Sequence, residues 1–166
     1  YEIRQGVAWD NIPFTPQIEE LARHTRAACF GSLAQRSPVS HRTIGRFLET
    51  MPDGEGQYKV FDINLRQHFY SSEVVHDSLC RSNILKTNDE ELTVVSRMFG
   101  IQAQEPQAQC RDLLEKYGLR TVILTCGAVG SHVFTPDGMS YVATPHVEVA
   151  DGVGAGDSFT AQIRKE

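Results

Sequence analysis

Apolar and polar positions alternate along the chain with two periods, one of helices and one of strands. Thr15-Pro16 offers an N-cap followed by proline at the first helical position, which predicts a helix to about Thr25. Ala27-Ala28-Cys29-Phe30 is a short apolar run closed by Gly31 and reads as a buried strand. Ile44, Phe47, Leu48 and Met51 repeat at i, i+3, i+4 and i+7, so a helix from about Ser40 has one apolar face, and Pro52-Asp53-Gly54 stops it. Tyr58 to Ile63 reads as a strand, Ser72 to Leu79 as a short helix, and Asn83 to Lys86 as another strand. A helix opens at Asn88 with Leu92, Val95 and Phe99 on one side, and a further one spans Pro106 to Tyr117 before Gly118. Thr121-Val122-Ile123-Leu124-Thr125 is the clearest strand, β-branched and apolar almost throughout.

The rhythm then changes. Ser131–Thr135, a Pro136-Asp137-Gly138 turn and Ser140–Ala143 predict a β-hairpin, and a last helix starts near Gly154. Repeated strand–helix units with apolar strands predict an α/β fold: a doubly wound, mostly parallel sheet flanked by helices, with a small hairpin near its C-terminal end. Ligands in such sheets bind beyond the C-terminal ends of the strands. Residues 1–166 read as one such domain, and the opening Tyr1-Glu2-Ile3-Arg4 reads like the middle of a longer protein.

Composition narrows the classes. Hydrophobic residues make up 40% and charged residues 22%, as in a globular domain with a real core. The net charge of −5 and the lack of a basic run argue against nucleic acid as a partner, and no apolar stretch has membrane-spanning length. Cys29, Cys80, Cys110 and Cys126 form no Cys-x-x-Cys pair and no zinc-like cluster, so reduced thiols and a cytoplasmic location are expected.

Chemistry concentrates in Asp151-Gly152-Val153-Gly154-Ala155-Gly156-Asp157-Ser158-Phe159. Small residues let backbone N–H groups approach an anion, and a helix start adds its dipole. An acid at such a place suits proton removal beside a phosphate, which suggests phosphoryl transfer to a hydroxyl with Asp157 as base. The spacing matches neither a P-loop, since no Gly-Lys-Ser/Thr follows, nor a dinucleotide-binding fingerprint. Plain helix capping remains the alternative for this run.

Other polar groups fall at predicted strand ends. Asp62, Asn64 and Arg66 alternate, which in an extended segment sets all three side chains on one side, suited to phosphate or a sugar hydroxyl or to a strand-end hydrogen-bond network. Asn88 and Glu91 have capping-box spacing, and Glu91 could also hold a hydrated Mg²⁺. Thr125-Cys126-Gly127-Ala128-Val129-Gly130 follows the strongest strand with small residues that would admit a nucleotide phosphate or simply turn the chain after the strand.

Taken in order, Asp62-x-Asn64-x-Arg66, Asn88-x-x-Glu91, Thr125-x-Gly127-x-x-Gly130 and Asp151 to Phe159 resemble the PfkB-type, or ribokinase-like, sugar kinases, nearest to fructokinase-type members. The resemblance implies ATP-dependent phosphorylation of a free sugar, fructose first. Ribose, 2-keto-3-deoxygluconate or a nucleoside is the alternative substrate, and a non-catalytic nucleotide-binding remnant the alternative role. It implies Asp157 as base and Gly154, Ala155 and Gly156 as the anion hole. Asn88, Thr125, Gly127 and Gly130, with Gly154 and Gly156, would lie on the nucleotide side, and Asp62, Asn64 and Arg66 towards substrate or phosphate. Glu91 would hold Mg²⁺ through water, and Asp151 a monovalent cation, usually K⁺. Gly152 and Val153 depart from the family signature, as does Gln162. The N-terminal sugar-binding part, the β-sheet lid and the end of the adenine pocket have no counterpart, so the chain resembles the central and nucleotide-side portion of such a kinase. An open sheet cut in this way would favour self-association, a homodimer among the outcomes.

Overall fold

The computed structural model describes residues 3–145 and 154–161. Strands β1 (Ala27–Phe30), β2 (Tyr58–Asp62), β3 (Ile84–Asn88), β4 (Thr121–Thr125), β5 (Gly130–Thr135) and β6 (Gly138–Ala143) form one sheet in chain order. β1 to β4 are parallel, while β5 pairs antiparallel with both β4 and β6. The helices are α1 (Pro16–His24), α2 (Pro38–Thr50), α3 (Ser72–Arg81), α4 (Asp89–Met98), α5 (Pro106–Tyr117) and α6 (Ala155–Ala161).

Strand alternation sorts the sheet into two faces. Phe61, Leu85, Val122 and Leu124 point to one face and join Val75 and Leu79 of α3, Leu92 and Val95 of α4, and Cys110, Leu113 and Leu114 of α5 in the main core. Full burial of each large side chain there contributes roughly 1.5–3 kcal/mol. The opposite face carries the smaller cluster Val60, Ile84 and Ile123, continued towards the strand ends by Asp62 and Lys86. Helix α6 lies on this second side, where Thr160 meets Asp62. Helices therefore flank both faces, as the strand–helix alternation predicts.

The helix boundaries follow local signals. Thr15 caps α1, its Oγ1 accepting from the Ile18 amide at 3.3 Å, with Pro16 at the first turn. Gly118 ends α5 with φ +61°, a left-handed conformation that costs glycine little.

Two expectations need correction. β1 is not a buried strand: it is the edge of the described sheet, paired with β2, and its residues alternate between exposed and half-buried. A short apolar run reads alike at a sheet edge and at its centre. On α2, Ile44 and Phe47 are only half-buried, while Ser40, Thr43 and Leu48 are buried. The polar pair is covered because the segment before α1 straps across it. Ser40 Oγ donates to the Trp9 carbonyl at 2.7 Å and accepts from the Ile12 amide at 3.0 Å, and Thr43 Oγ1 donates to the Ile12 carbonyl at 2.7 Å.

Asp10 anchors that strap. Its two oxygens take a bidentate grip from Arg36, each at 2.8 Å, and the Gly6 and Val7 amides add to it. The guanidinium holds the Asp10 carboxyl below its ordinary range.

Candidate active site at the strand ends

Parallel strands deliver Phe30, Asp62, Asn88 and Thr125 to the same edge of the sheet. Asn88 and Thr125 are register partners, so the β3–α4 and β4–β5 connections leave the sheet side by side.

At the β3 end, Asn88 Oδ1 accepts from the Glu91 amide at 2.8 Å, and Glu91 Oε2 accepts from the Asn88 amide at 3.1 Å. This is the reciprocal capping box that the spacing predicts. The other Glu91 oxygen accepts from the Leu65 amide at 3.1 Å, so this carboxylate also ties the β2–α3 loop to α4. Burial pushes the Glu91 carboxyl above its ordinary range, and its two amide partners oppose the shift. Both oxygens are engaged with backbone. They fit a metal held through water and do not fit a directly bound one. Asp89 and Glu90 stand exposed beside them in the first turn of α4. Among the described residues no group of three or more His, Cys, Asp or Glu gathers as a metal site. A phosphate-bound Mg²⁺ needs few protein ligands.

At the β2 end the expected row of Asp62, Asn64 and Arg66 does not form. The strand stops at Asp62, and Asn64 takes φ +43°, which breaks the two-residue alternation. Asp62 is buried, Asn64 half-buried and Arg66 exposed. Asn64 borders a small cavity of about 220 Å³ with Trp9, Gly31 and Ser32. Asp62 faces inward: Lys86 Nζ donates to both its oxygens at 2.9 Å, and Thr160 Oγ1 donates to Oδ2 at 2.7 Å. Its surroundings make it a structural acceptor.

After β4, Gly127 adopts φ +53° in an exposed turn, and its carbonyl accepts from Thr144 Oγ1 at 2.8 Å. Thr125 Oγ1 lies 3.4 Å from the Thr87 carbonyl, to which it donates. Gly130 has a packing reason of its own. With φ +156°, a Cβ there would stand 2.5 Å from the Val142 carbonyl oxygen, so the β5–β6 pairing itself demands glycine.

Helix α6 begins beyond these ends. Gly154, at φ +80°, turns the chain into the helix, and the Ser158 amide donates to its carbonyl at 2.9 Å. The amides of a first turn have no acceptor within their own helix. Asp157 is exposed in that turn, and the Thr160 side chain, three residues on, is buried against Asp62. Asp157 lies near enough to Cys29 to help Asp62 raise its thiol, which burial pushes up to about 11. Asp157 sits on the helix that Thr160 ties to Asp62 at the strand ends. Asp151 lies outside the described residues, as do Gly152, Val153 and Gln162.

Sequence reasoning missed Lys86 and Thr160. Lys86 carried a signal: a charge inside an apolar strand is rarely buried without a partner.

A larger cavity, about 660 Å³, lies apart from Asp157, between the strap and the starts of α2 and α3. Asp10, Arg36, His68, Phe69 and Tyr70 are among its lining residues. No helix among the described residues is long and apolar enough to cross a membrane.

Residues 38–163 match the family described as pfkB family carbohydrate kinase. A fructokinase from Rhizobium leguminosarum bv. trifolii is 29% identical over 156 residues, covering 90% of this chain and 45% of the relative. An aminoimidazole riboside kinase from Salmonella typhimurium is 32% identical over 113 residues, 65% of this chain and 34% of the relative. The crystal structure of aminoimidazole riboside kinase from Salmonella enterica, complexed with aminoimidazole riboside and an ATP analog, superposes with a TM-score of 0.66. It is 26% identical and covers 81% of this chain and 44% of that one. The chain thus spans less than half the length of these curated relatives.

Proposed function

The chain belongs to the pfkB family of carbohydrate kinases, and from that premise we propose that it carries the phosphoryl-transfer side of an ATP-dependent sugar kinase. The observation that supports this most is the placement of Asp157. It is an exposed carboxylate in the first turn of α6, above the ends of parallel strands and tied to them through Thr160 and Asp62.

The chemistry then follows from the residues. Asp157 takes the proton of the acceptor hydroxyl as its oxygen attacks the γ-phosphorus of ATP. The bond from that phosphorus to the bridging oxygen of ADP breaks. The turn of Gly154, Ala155 and Gly156 offers backbone N–H groups to the charge that spreads over the transferring group. The exposed turn at Gly127, with Thr125, Asn88 and Gly130 around it, forms the nucleotide side. Asn64 and Arg66, beyond the end of β2, are the proposed contacts for the acceptor or its phosphate, while Asp62 is held by Lys86 and Thr160. A bound Mg²⁺ would neutralise phosphate charge, with Glu91 holding one of its waters. Asp151 is proposed for a monovalent cation, K⁺ by family precedent.

Fructose is the first substrate to test, supported by the Rhizobium relative, and aminoimidazole riboside the second, supported by the Salmonella one. The experiment measures ADP formation with Mg²⁺-ATP and K⁺ across a panel of sugars and ribosides. It uses this chain and a version extended at both ends. Sugar-dependent ADP from either protein supports the reading. Nucleotide binding with no turnover in either, across the panel, replaces it with a nucleotide-binding fold.

A further inference from the structure

Asp62, Lys86 and Thr160 come from β2, β3 and α6, and nothing in the family signatures read above assigns a task to Lys86 or Thr160. The Lys86 side chain is 9% exposed and the Asp62 side chain 11%, and both carboxylate oxygens lie 2.9 Å from Nζ. A buried pair of this kind stands only when its geometry is good and further hydrogen bonds complete it. Here the completing bond is the one from Thr160, which spans 98 residues of sequence and joins the sheet to α6.

The same pair comes close to α6 at a second point, beside Gly156. A Cβ on Gly156 would stand 3.3 Å from Lys86 Nζ, closer than most Cβ contacts, so the first turn of the helix rests almost directly on the charge. One helix thus meets the buried pair at Gly156 and at Thr160, either side of Asp157. Two contacts one turn apart fix both the depth and the rotation of a helix. Thr160 Oγ1 also lies 3.0 Å from the Gly156 carbonyl of its own helix, the acceptor it would turn to if Asp62 were lost.

We infer that the buried Asp62–Lys86–Thr160 cluster is a latch that sets where α6 carries Asp157, which makes the three positioning residues for the reaction. The latch rests on geometry, and its part in the reaction rests on the function proposed above. Its chemistry is a charge relay of position: the cation holds the carboxylate, the carboxylate holds the hydroxyl, and the hydroxyl holds the helix.

The test is Thr160→Val, nearly isosteric and lacking the donor, with Thr160→Ser as the conservative partner. Hydrogen exchange, which needs no substrate, is followed by mass spectrometry on this chain and on the extended version. Amides of Ser158 to Ala161 should exchange about tenfold faster or more in Thr160→Val, the size of a lost bond to a charged acceptor, while β2 and β3 keep their protection. In the extended version, kcat for whichever acceptor proves active should fall about tenfold or more with the KM for ATP within about twofold, since a displaced base costs turnover and spares nucleotide binding. Thr160→Ser should restore both readings. Unchanged exchange in α6, or loss of protection across the whole sheet, overturns the latch. Faster exchange in α6 with unchanged kcat overturns its positioning role. If the unmutated protein turns over no acceptor while exchange responds as expected, the latch stands and the sugar-kinase reading falls.

Discussion

Two carboxylates at the same end of the sheet have opposite lives. Asp62 is buried and takes three hydrogen bonds from Lys86 and Thr160. Asp157, one turn of helix from Thr160, is exposed. The β2–β3 end is built from groups that hydrogen-bond to one another, and the α6 turn presents an exposed carboxylate. The difference teaches how to separate acids that hold a site from acids that act in it. Burial and completed partners mark the first kind, and a fixed but accessible position marks the second. By the same measure Glu91 belongs nearer to Asp62, because both its oxygens are committed to backbone amides.

The largest effect should come from Asp157, the proposed base. Asp157→Asn in the extended protein should lower turnover by about a hundred- to ten-thousandfold, the usual share of a general base, with ATP affinity near normal by calorimetry. Surviving turnover would erase the contrast between the two carboxylates. Lys86→Met should instead act on stability. It leaves Asp62 buried without its cation, at a cost of about 3–5 kcal/mol. Denaturant unfolding of this chain measures it, and a variant as stable as the parent would show that Asp62 needs no counter-charge. Next in size, Asn88→Ala removes a helix cap and should cost about 1 kcal/mol, checked the same way.

The smallest effect is a pH dependence remote from the strand ends. Arg36 holds the Asp10 carboxyl below its ordinary value, so the folded form protonates at lower pH than the unfolded chain. That contribution is fully present above about pH 4 and is lost as pH falls through the depressed folded value. Asp10→Asn should therefore flatten the acid limb of the stability curve. An unchanged limb would mean that the Asp10–Arg36 grip adds nothing net.

Much of the frame is legible in the residues themselves. The helix at Pro106–Tyr117, the strand at Thr121–Thr125, the hairpin and the Asn88–Glu91 capping box all rest on signals within a few residues of one another, and all are observed. The misreadings have one physical source. Whether Ala27–Phe30 lies at an edge or a centre depends on distant strands. Whether Asp62 faces a ligand or Lys86 depends on β3 and α6. Asn64 breaks the alternation by a single backbone angle that its identity permits but does not require. The four ordered motifs mark where chemistry is proposed, but the contacts that hold Asp62 and α6 in place come from residues distant in sequence.

The strand order has a kinetic meaning as well. Because spatial order repeats chain order from β1 to β6, every strand after the first finds its partner in the one made just before it. As these strands leave a ribosome, each one from β2 to β6 can add to the edge formed by the strand before it. Parallel pairing is slow when distant segments must search for each other across long loops. Here each search is confined to a single crossover, and the hairpin closes by the shortest search of all.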